Sequence, residues 1–285
     1  CGWYLFADIV SRTARILGKP DESETYARLA SQIRDNFNAK CFDPATGLYA
    51  KAADSQTSLI LPLCLDMVPE GKRELILKRL VENIGQWKDH LSTGFIGTPY
   101  LLEGLPEFGL ADLSYKIVNQ QDYAGWNTLI TEGVMKETWR GGMAQMPSLG
   151  GSIGQWFYKA AAGIRPDPDG PGFRKIIIKP SIMGDLTWVK AHYDSSYGRI
   201  VSNWKREGAR VSMEVTIPIN TTATVYVPSK DAAGVTESDK PAAKAAGVKF
   251  LRMENGAAVY EVGSGSYRFQ AETNATPWKP HESSK

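Results

Sequence analysis

The chain has 285 residues, long for one domain, with 42% hydrophobic and 22% charged residues and a formal charge of only +2. That composition excludes a disordered chain and a strongly basic nucleic-acid binder. No apolar run approaches the 18 or more residues needed to cross a bilayer, so no membrane partner is expected. Cys1, Cys41 and Cys64 lack CxxC spacing, and His90, His192 and His281 form no ligand cluster, which argues against a disulfide framework or a structural zinc site. No cofactor is expected.

The opening Cys-Gly-Trp-Tyr-Leu-Phe has no Met or basic leader and reads as the inside of a helix, as in a fragment. Asp21 is a candidate cap with Glu24 at the capping-box position, and Tyr26, Leu29, Ala30, Ile33 and Phe37 then follow at helical spacing. Further helical stretches are expected at 56–67, 70–85, 98–104, 109–120, 126–134 and 151–163. Paired helices of this kind suit a helical-hairpin toroid.

The Pro/Gly-dense run 165–172 reads as a linker. Beyond it, runs rich in β-branched and aromatic residues at 173–179, 186–193, 197–205, 209–217, 221–227, 248–253, 257–262 and 266–271 predict the eight strands of a sandwich. Val211, Met213, Val215 and Ile217 alternate with Ser212, Glu214 and Thr216, the pattern of an antiparallel sheet wet on one side. Residues 229–247 read as a polar insertion and 272–285 as a flexible tail. The expected division is therefore a helical domain over 1–164, a linker, and a sandwich over 173–271.

Aromatic and acidic residues converge between His90 and Trp156. A sugar site needs flat apolar walls for C–H faces beside acids and hydrogen-bonding groups, and this stretch holds both. Each aromatic is, taken singly, more often a core residue. The run Gly150-Gly151-Ser152-Ile153-Gly154 lacks the Lys-Ser/Thr ending of a phosphate loop, and no Gly-x-Ser-x-Gly elbow is present.

The ordered series Ser55-Gln56-Thr57, Thr93-Gly94-Phe95-Ile96-Gly97-Thr98-Pro99-Tyr100, Tyr123-Ala124-Gly125-Trp126, Glu137-Thr138-Trp139 and Gly151-Ser152-Ile153-Gly154-Gln155-Trp156 resembles the C-terminal half of bacterial α-L-rhamnosidases, from about residue 3 to about 271. The resemblance implies the later part of an (α/α)6 toroid, followed by an antiparallel β-sandwich. It implies inverting hydrolysis of terminal α-L-rhamnosyl bonds in a rhamnose-containing glycan or glycoside. Such chemistry uses an acid on the leaving oxygen and a carboxylate that activates water, set roughly 6.5–9.5 Å apart.

By that resemblance Glu137 is the general base, with Glu132 as second choice, and the general acid lies upstream. Lys136 and Arg140 flank Glu137 and would keep it ionised if they face it. Trp126, Trp139 and Tyr100 are candidate sugar walls, and Thr93 and Thr98 candidate hydroxyl partners. Where the family carries a His before the Gly-Ser motif, this chain reads Met143-Ala144-Gln145-Met146-Pro147-Ser148. The isolated chain is expected to be inactive. The compartment stays open, with periplasmic or extracellular preferred.

Two other readings stand beside it. One is a non-catalytic carbohydrate-binding or structural module, with Trp188, Tyr193 and Trp204 as a platform on the sandwich. The other is a lyase or different toroid glycosidase, since one fold carries many activities.

Overall fold

A computed structural model describes residues 1–49, 55–131, 134–135, 139 and 151–273. The chain divides into two compact units: residues 1–104 with 117–150, and residues 105–116 with 151–285.

The first unit is helical. Helix α1 (Gly2–Ile16) and helix α2 (Pro20–Cys41) pack together as a hairpin joined by residues 17–19, tied by the Ser11 hydroxyl donating to the Ser23 carbonyl at 2.7 Å. Asp21 does not cap α2. Pro20 occupies the first turn after Lys19, because a missing N–H and a fixed φ suit that position, and Asp21 and Glu22 complement the dipole instead. The stripe foreseen on α2 is only partly covered: Ala30 is buried, whereas Tyr26 and Leu29 are exposed. Trp3, Phe6, Ile9 and Val10 on α1 are exposed too.

A short ribbon of β1 (Phe42–Asp43) and β2 (Leu48–Tyr49) follows. Helix α3 (Gln56–Cys64) opens with a capping box in which Ser55 and Ser58 serve each other's backbone, and it packs on α4 (Arg73–Gln86). Helix α5 (Gly97–Glu107) and α6 (Ala111–Val118) come next. The helix expected over 126–134 is short: α7 (Trp126–Leu129) ends where β-branched Ile130 and Thr131 begin, and β3 (Ile130–Thr131) pairs with β4 (Val134–Met135).

The second unit is a two-sheet sandwich with helical additions. Helix α8 (Gly151–Trp156) runs into a π-helical turn, Phe157–Ala161. Strand β5 (Ile164–Pro166) then takes up the first residues of the Pro/Gly-dense run, pairing with β6 (Lys175–Ile178). The long strands are β7 (Trp188–Ser195), β8 (Gly198–Glu207), β9 (Arg210–Ile217) and β10 (Thr222–Pro228). After them come β11 (Thr236–Glu237), β12 (Lys240–Pro241), β13 (Val248–Glu254), β14 (Ala257–Val262) and β15 (Gly265–Glu272).

One sheet has the order β13-β14-β10-β6-β5 and the other β12-β11-β15-β9-β8-β7. All pairs are antiparallel except β6 with β10. Val211, Met213, Val215 and Ile217 point into the core with Ile176, Ile178, Val225, Tyr260 and Phe269, as the alternation foretold. The span 229–247 is not a purely polar insertion. It carries β11 and β12, and Val235 and Ala242 are sealed in the core.

The segment 105–116 belongs to this unit through specific bonds. Glu107 pairs with Arg165 and, at 2.8 Å, with Lys179. Burial works against the Glu107 charge, but the Arg165 guanidinium and Lys179 ammonium outweigh it and hold the carboxyl below the usual range. Asp112 accepts the Gly184 N–H at 2.7 Å, Ser114 accepts the Trp156 indole N–H at 2.9 Å, and Tyr115 donates to Asp185. Gly184 is required there, since φ is +56° and a Cβ would lie 2.1 Å from the Tyr115 ring.

Candidate functional site

In the first unit the loop 93–98 and the residues after α6 converge on two tryptophans. Trp126 opens α7 and is 8% exposed; Trp139 is half-buried. Their rings meet edge to face, 5.5 Å between centroids at 87°, so the positive edge of one lies on the negative face of the other. The Trp139 indole N–H donates to the Thr93 carbonyl at 2.9 Å, which fixes the ring against the loop.

That loop is braced from within. The Thr93 and Thr98 hydroxyls share a 2.7 Å hydrogen bond, and Thr98 also donates to the Gly94 carbonyl at 2.9 Å. Both threonines are buried, while Phe95 and Ile96 between them turn outward. Glycine is needed at 97 because a Cβ would stand 2.3 Å from the Thr57 hydroxyl. At 125, ahead of Trp126, a Cβ would meet the Gln120 carbonyl at 2.1 Å.

Gln56, on the first turn of α3, is fully buried beneath the approach to this loop. Its amide donates to the His90 carbonyl and accepts from the Ser92 N–H, both at 2.9 Å. His90 in turn bonds Asp122 at 2.6 Å. Burial draws the imidazole pKa down, but the hydrogen bond to Asp122, then the Lys88 carbonyl and the Asp122 charge, raise it above 6.5 overall. The same bond keeps the Asp122 carboxyl below its ordinary range.

Of the residues singled out in the sequence, the structure thus brings together Trp126, Trp139, Thr93 and Thr98. Tyr100 lies on α5, half-buried, its hydroxyl pKa raised by burial and then by neighbouring Cys64 and Glu103, and its carbonyl accepts the Cys64 thiol at 3.4 Å. No ring contact joins it to the tryptophans among the described residues. Glu137 and Glu132 lie outside the described residues, as do residues 143–148. The Trp126 indole nitrogen is buried with no hydrogen-bond partner among the described residues.

In the second unit, Trp204 is not a surface platform. It is 2% exposed and donates its N–H to the Ala161 carbonyl at 2.8 Å. Tyr193 leans on Phe173 and Tyr158, with centroids 4.7 and 6.2 Å away, whereas Trp188 is 59% exposed. Gln56, the His90–Asp122 pair and Glu107 carry no local signal in the sequence, because their partners lie 32 to 72 residues away. Among the described residues no group of three or more His, Cys, Asp or Glu could hold a metal ion, and no helix is long and apolar enough to cross a membrane.

The family model described as the bacterial alpha-L-rhamnosidase 6 hairpin glycosidase domain matches residues 1–161, and that of the bacterial alpha-L-rhamnosidase C-terminal domain matches 163–241. An alpha-L-rhamnosidase of Streptomyces avermitilis is 33% identical over 92% of this chain and 25% of its own length. One from Formosa agariphila is 31% identical over 93% of this chain and 30% of its own length. Among solved structures, the Dictyoglumus thermophilum alpha-L-rhamnosidase superposes with TM-score 0.84 at 34% identity, covering 95% of this chain and 31% of that one. The S. avermitilis enzyme complexed with L-rhamnose gives 0.79 at 32%, covering 93% and 26%. The chain therefore spans about a quarter to a third of the relatives it matches.

Proposed function

For a chain that belongs to the bacterial α-L-rhamnosidase family, we propose that it forms the later part of an inverting glycoside hydrolase that removes terminal α-L-rhamnosyl residues from a glycan or glycoside. The observation that carries this reading is the braced tryptophan pair. Trp139, two residues after Glu137, is pinned by the Thr93 carbonyl and by the Trp126 ring.

In this proposal Glu137 draws the proton from a water on the face of the sugar opposite the leaving group, and Glu132 is the reserve candidate. A base of this kind works as the carboxylate, so the site must keep it ionised. Trp126 and Trp139 form the apolar wall, the buried Trp126 ring backing the half-buried Trp139 ring. Tyr100 is a further candidate wall. Thr93 and Thr98, already bonded to each other, hold the loop's shape rather than the sugar. The acid partner is proposed to lie upstream of these 285 residues, which alone are therefore proposed to be inactive.

The test uses a longer protein in which these 285 residues are joined to the rest of the family's catalytic domain, assayed for release of rhamnose from an aryl α-L-rhamnoside. Glu137→Gln should lower kcat by about 10²–10⁴ with folding intact. Full activity in that variant moves the base to Glu132 or elsewhere. An inactive parent favours the non-catalytic carbohydrate-binding reading, toward which the replacement of the family's His by the 143–148 sequence also points.

A further inference from the structure

The outward face of the six-stranded sheet carries a cleft of about 600 Å³, within the range of small-molecule sites. Its floor follows from strand register. Across β7, β8, β9 and β15 one row reads Trp188, Lys205, Ser212, Gln270, and the next reads Lys190, Asn203, Glu214, Arg268. Directly paired residues share a face and adjacent strands lie about 4.8 Å apart, so the four strands present a strip roughly 14 Å wide.

Two features of this strip are unlike a merely solvated sheet face. First, Trp188 lies on the edge strand with 59% of its surface open, a flat apolar plate at one end of a polar row. Second, the charges are lopsided: Lys190, Lys205 and Arg268 stand against Glu214 alone among the lining residues. Lys205 is drawn toward Glu207, and Arg268 reaches Glu214 only at 3.8 Å. Lys190 has no ion-pair partner among the described residues. The Asn203 amide oxygen accepts the Ala191 N–H at 3.2 Å, which orients the side chain and leaves its amine hydrogens as donors.

We propose that this cleft is a binding site for an acidic oligosaccharide, a chain of sugar rings bearing carboxylates. The Trp188 face takes the C–H surface of one ring, Lys190 and Arg268, at opposite ends of their row, take carboxylates on different rings, and Asn203 and Gln270 meet hydroxyls. A single aromatic among neutral amides suits pyranose rings better than a single-stranded nucleic acid, which is held by successive stacking platforms along a continuous basic groove. The proposal extends the glycan reading above to a second place on the chain, but its test involves no hydrolysis, so the two fail separately.

Binding of tetragalacturonate to the 285-residue chain, followed by calorimetry, should be saturable with a Kd in the millimolar range or tighter, and the methyl-esterified tetrasaccharide should bind at least about tenfold more weakly. Trp188→Ala should weaken both by about tenfold. Lys190→Gln should remove most of the acid-over-ester preference, and raising NaCl from about 50 to about 500 mM should do the same. Trp188 is exposed, so an unchanged Tm verifies that its removal leaves the fold intact. Glu137→Gln should leave the affinity unchanged, which separates this cleft from the proposed catalytic centre. No saturable binding up to about 10 mM, equal affinity in Trp188→Ala, or tighter binding of an oligothymidylate than of the saccharide would overturn the proposal.

Discussion

The two threonines under the tryptophan pair allow a prediction in which the double variant is more stable than one of its parents. Thr98 donates to the Gly94 carbonyl, so it receives the Thr93 hydroxyl proton. Thr98→Val therefore strands the buried Thr93 donor and frees the Gly94 carbonyl, whose residue is exposed enough for water to replace part of the loss. An orphaned buried donor costs about 1–3 kcal/mol and the lost bond to Gly94 about 0.5–1, giving about 1.5–4 kcal/mol in total. Thr93→Val leaves Thr98 still donating and should cost only about 0.5–1.5 kcal/mol. With valine at both positions no hydroxyl is stranded, and the cost should return to about 0.5–1 kcal/mol. Equilibrium urea unfolding of the four proteins, followed by circular dichroism, gives the cycle directly. The double variant should unfold at higher urea than Thr98→Val, with a coupling of about 1–5 kcal/mol in its favour. Additive losses would refute the hydrogen-bond polarity assigned here.

Two further outcomes follow from the geometry. Trp204→Phe removes the donor to the Ala161 carbonyl and leaves a small void in a nearly closed core, so it should cost about 2–4 kcal/mol and lower Tm by roughly 5–15 °C in differential scanning calorimetry; a loss under about 2 °C would count against that bond. The His90–Asp122 pair should make stability depend on pH in both directions. His90 has its folded pKa raised, so its contribution is complete below 6.5 and fades as pH rises through the raised value. Asp122 has its folded pKa lowered, so its share is complete above 3.8 and fades as pH falls through the lowered value. Tm measured against pH should therefore flatten in Asp122→Asn relative to wild type above about pH 6.5; identical profiles would show that the pair is not formed.

Much of the sandwich was legible because alternation reports directly on a wet and a dry face. The eight strands fell within a few residues of their expected places, and Val211, Met213, Val215 and Ile217 all point inward. Helix positions were legible for the same reason at another period. What covers a helix face was not: Tyr26 and Leu29 obey the spacing yet stand exposed, since periodicity marks a face as apolar without naming its partner. Helix ends misled where two signals competed, as at Pro20 against Asp21, and where β-branched residues followed an apolar run, as at Ile130. At the candidate site the tryptophans could be singled out by type and spacing, but their edge-to-face contact and the Thr93 carbonyl beneath them depend on 46 residues of intervening chain. The binding face on the sandwich was half visible. Trp188 and Trp204 look equivalent in sequence, and only strand parity turns one out and the other in.

The interleaving of segment 105–116 with the sandwich has a consequence for synthesis on the ribosome. Asp112 emerges 72 residues before Gly184, the backbone amide it binds, and at about 5–20 residues per second the wait is roughly 4–14 s. Helix α6 is only 8 residues long and so cannot hold its shape alone in water during that interval. Its second unit can close only after the early strands have been made, and the translation rate through residues 117–184 thus sets how long this segment remains available to chaperones and proteases.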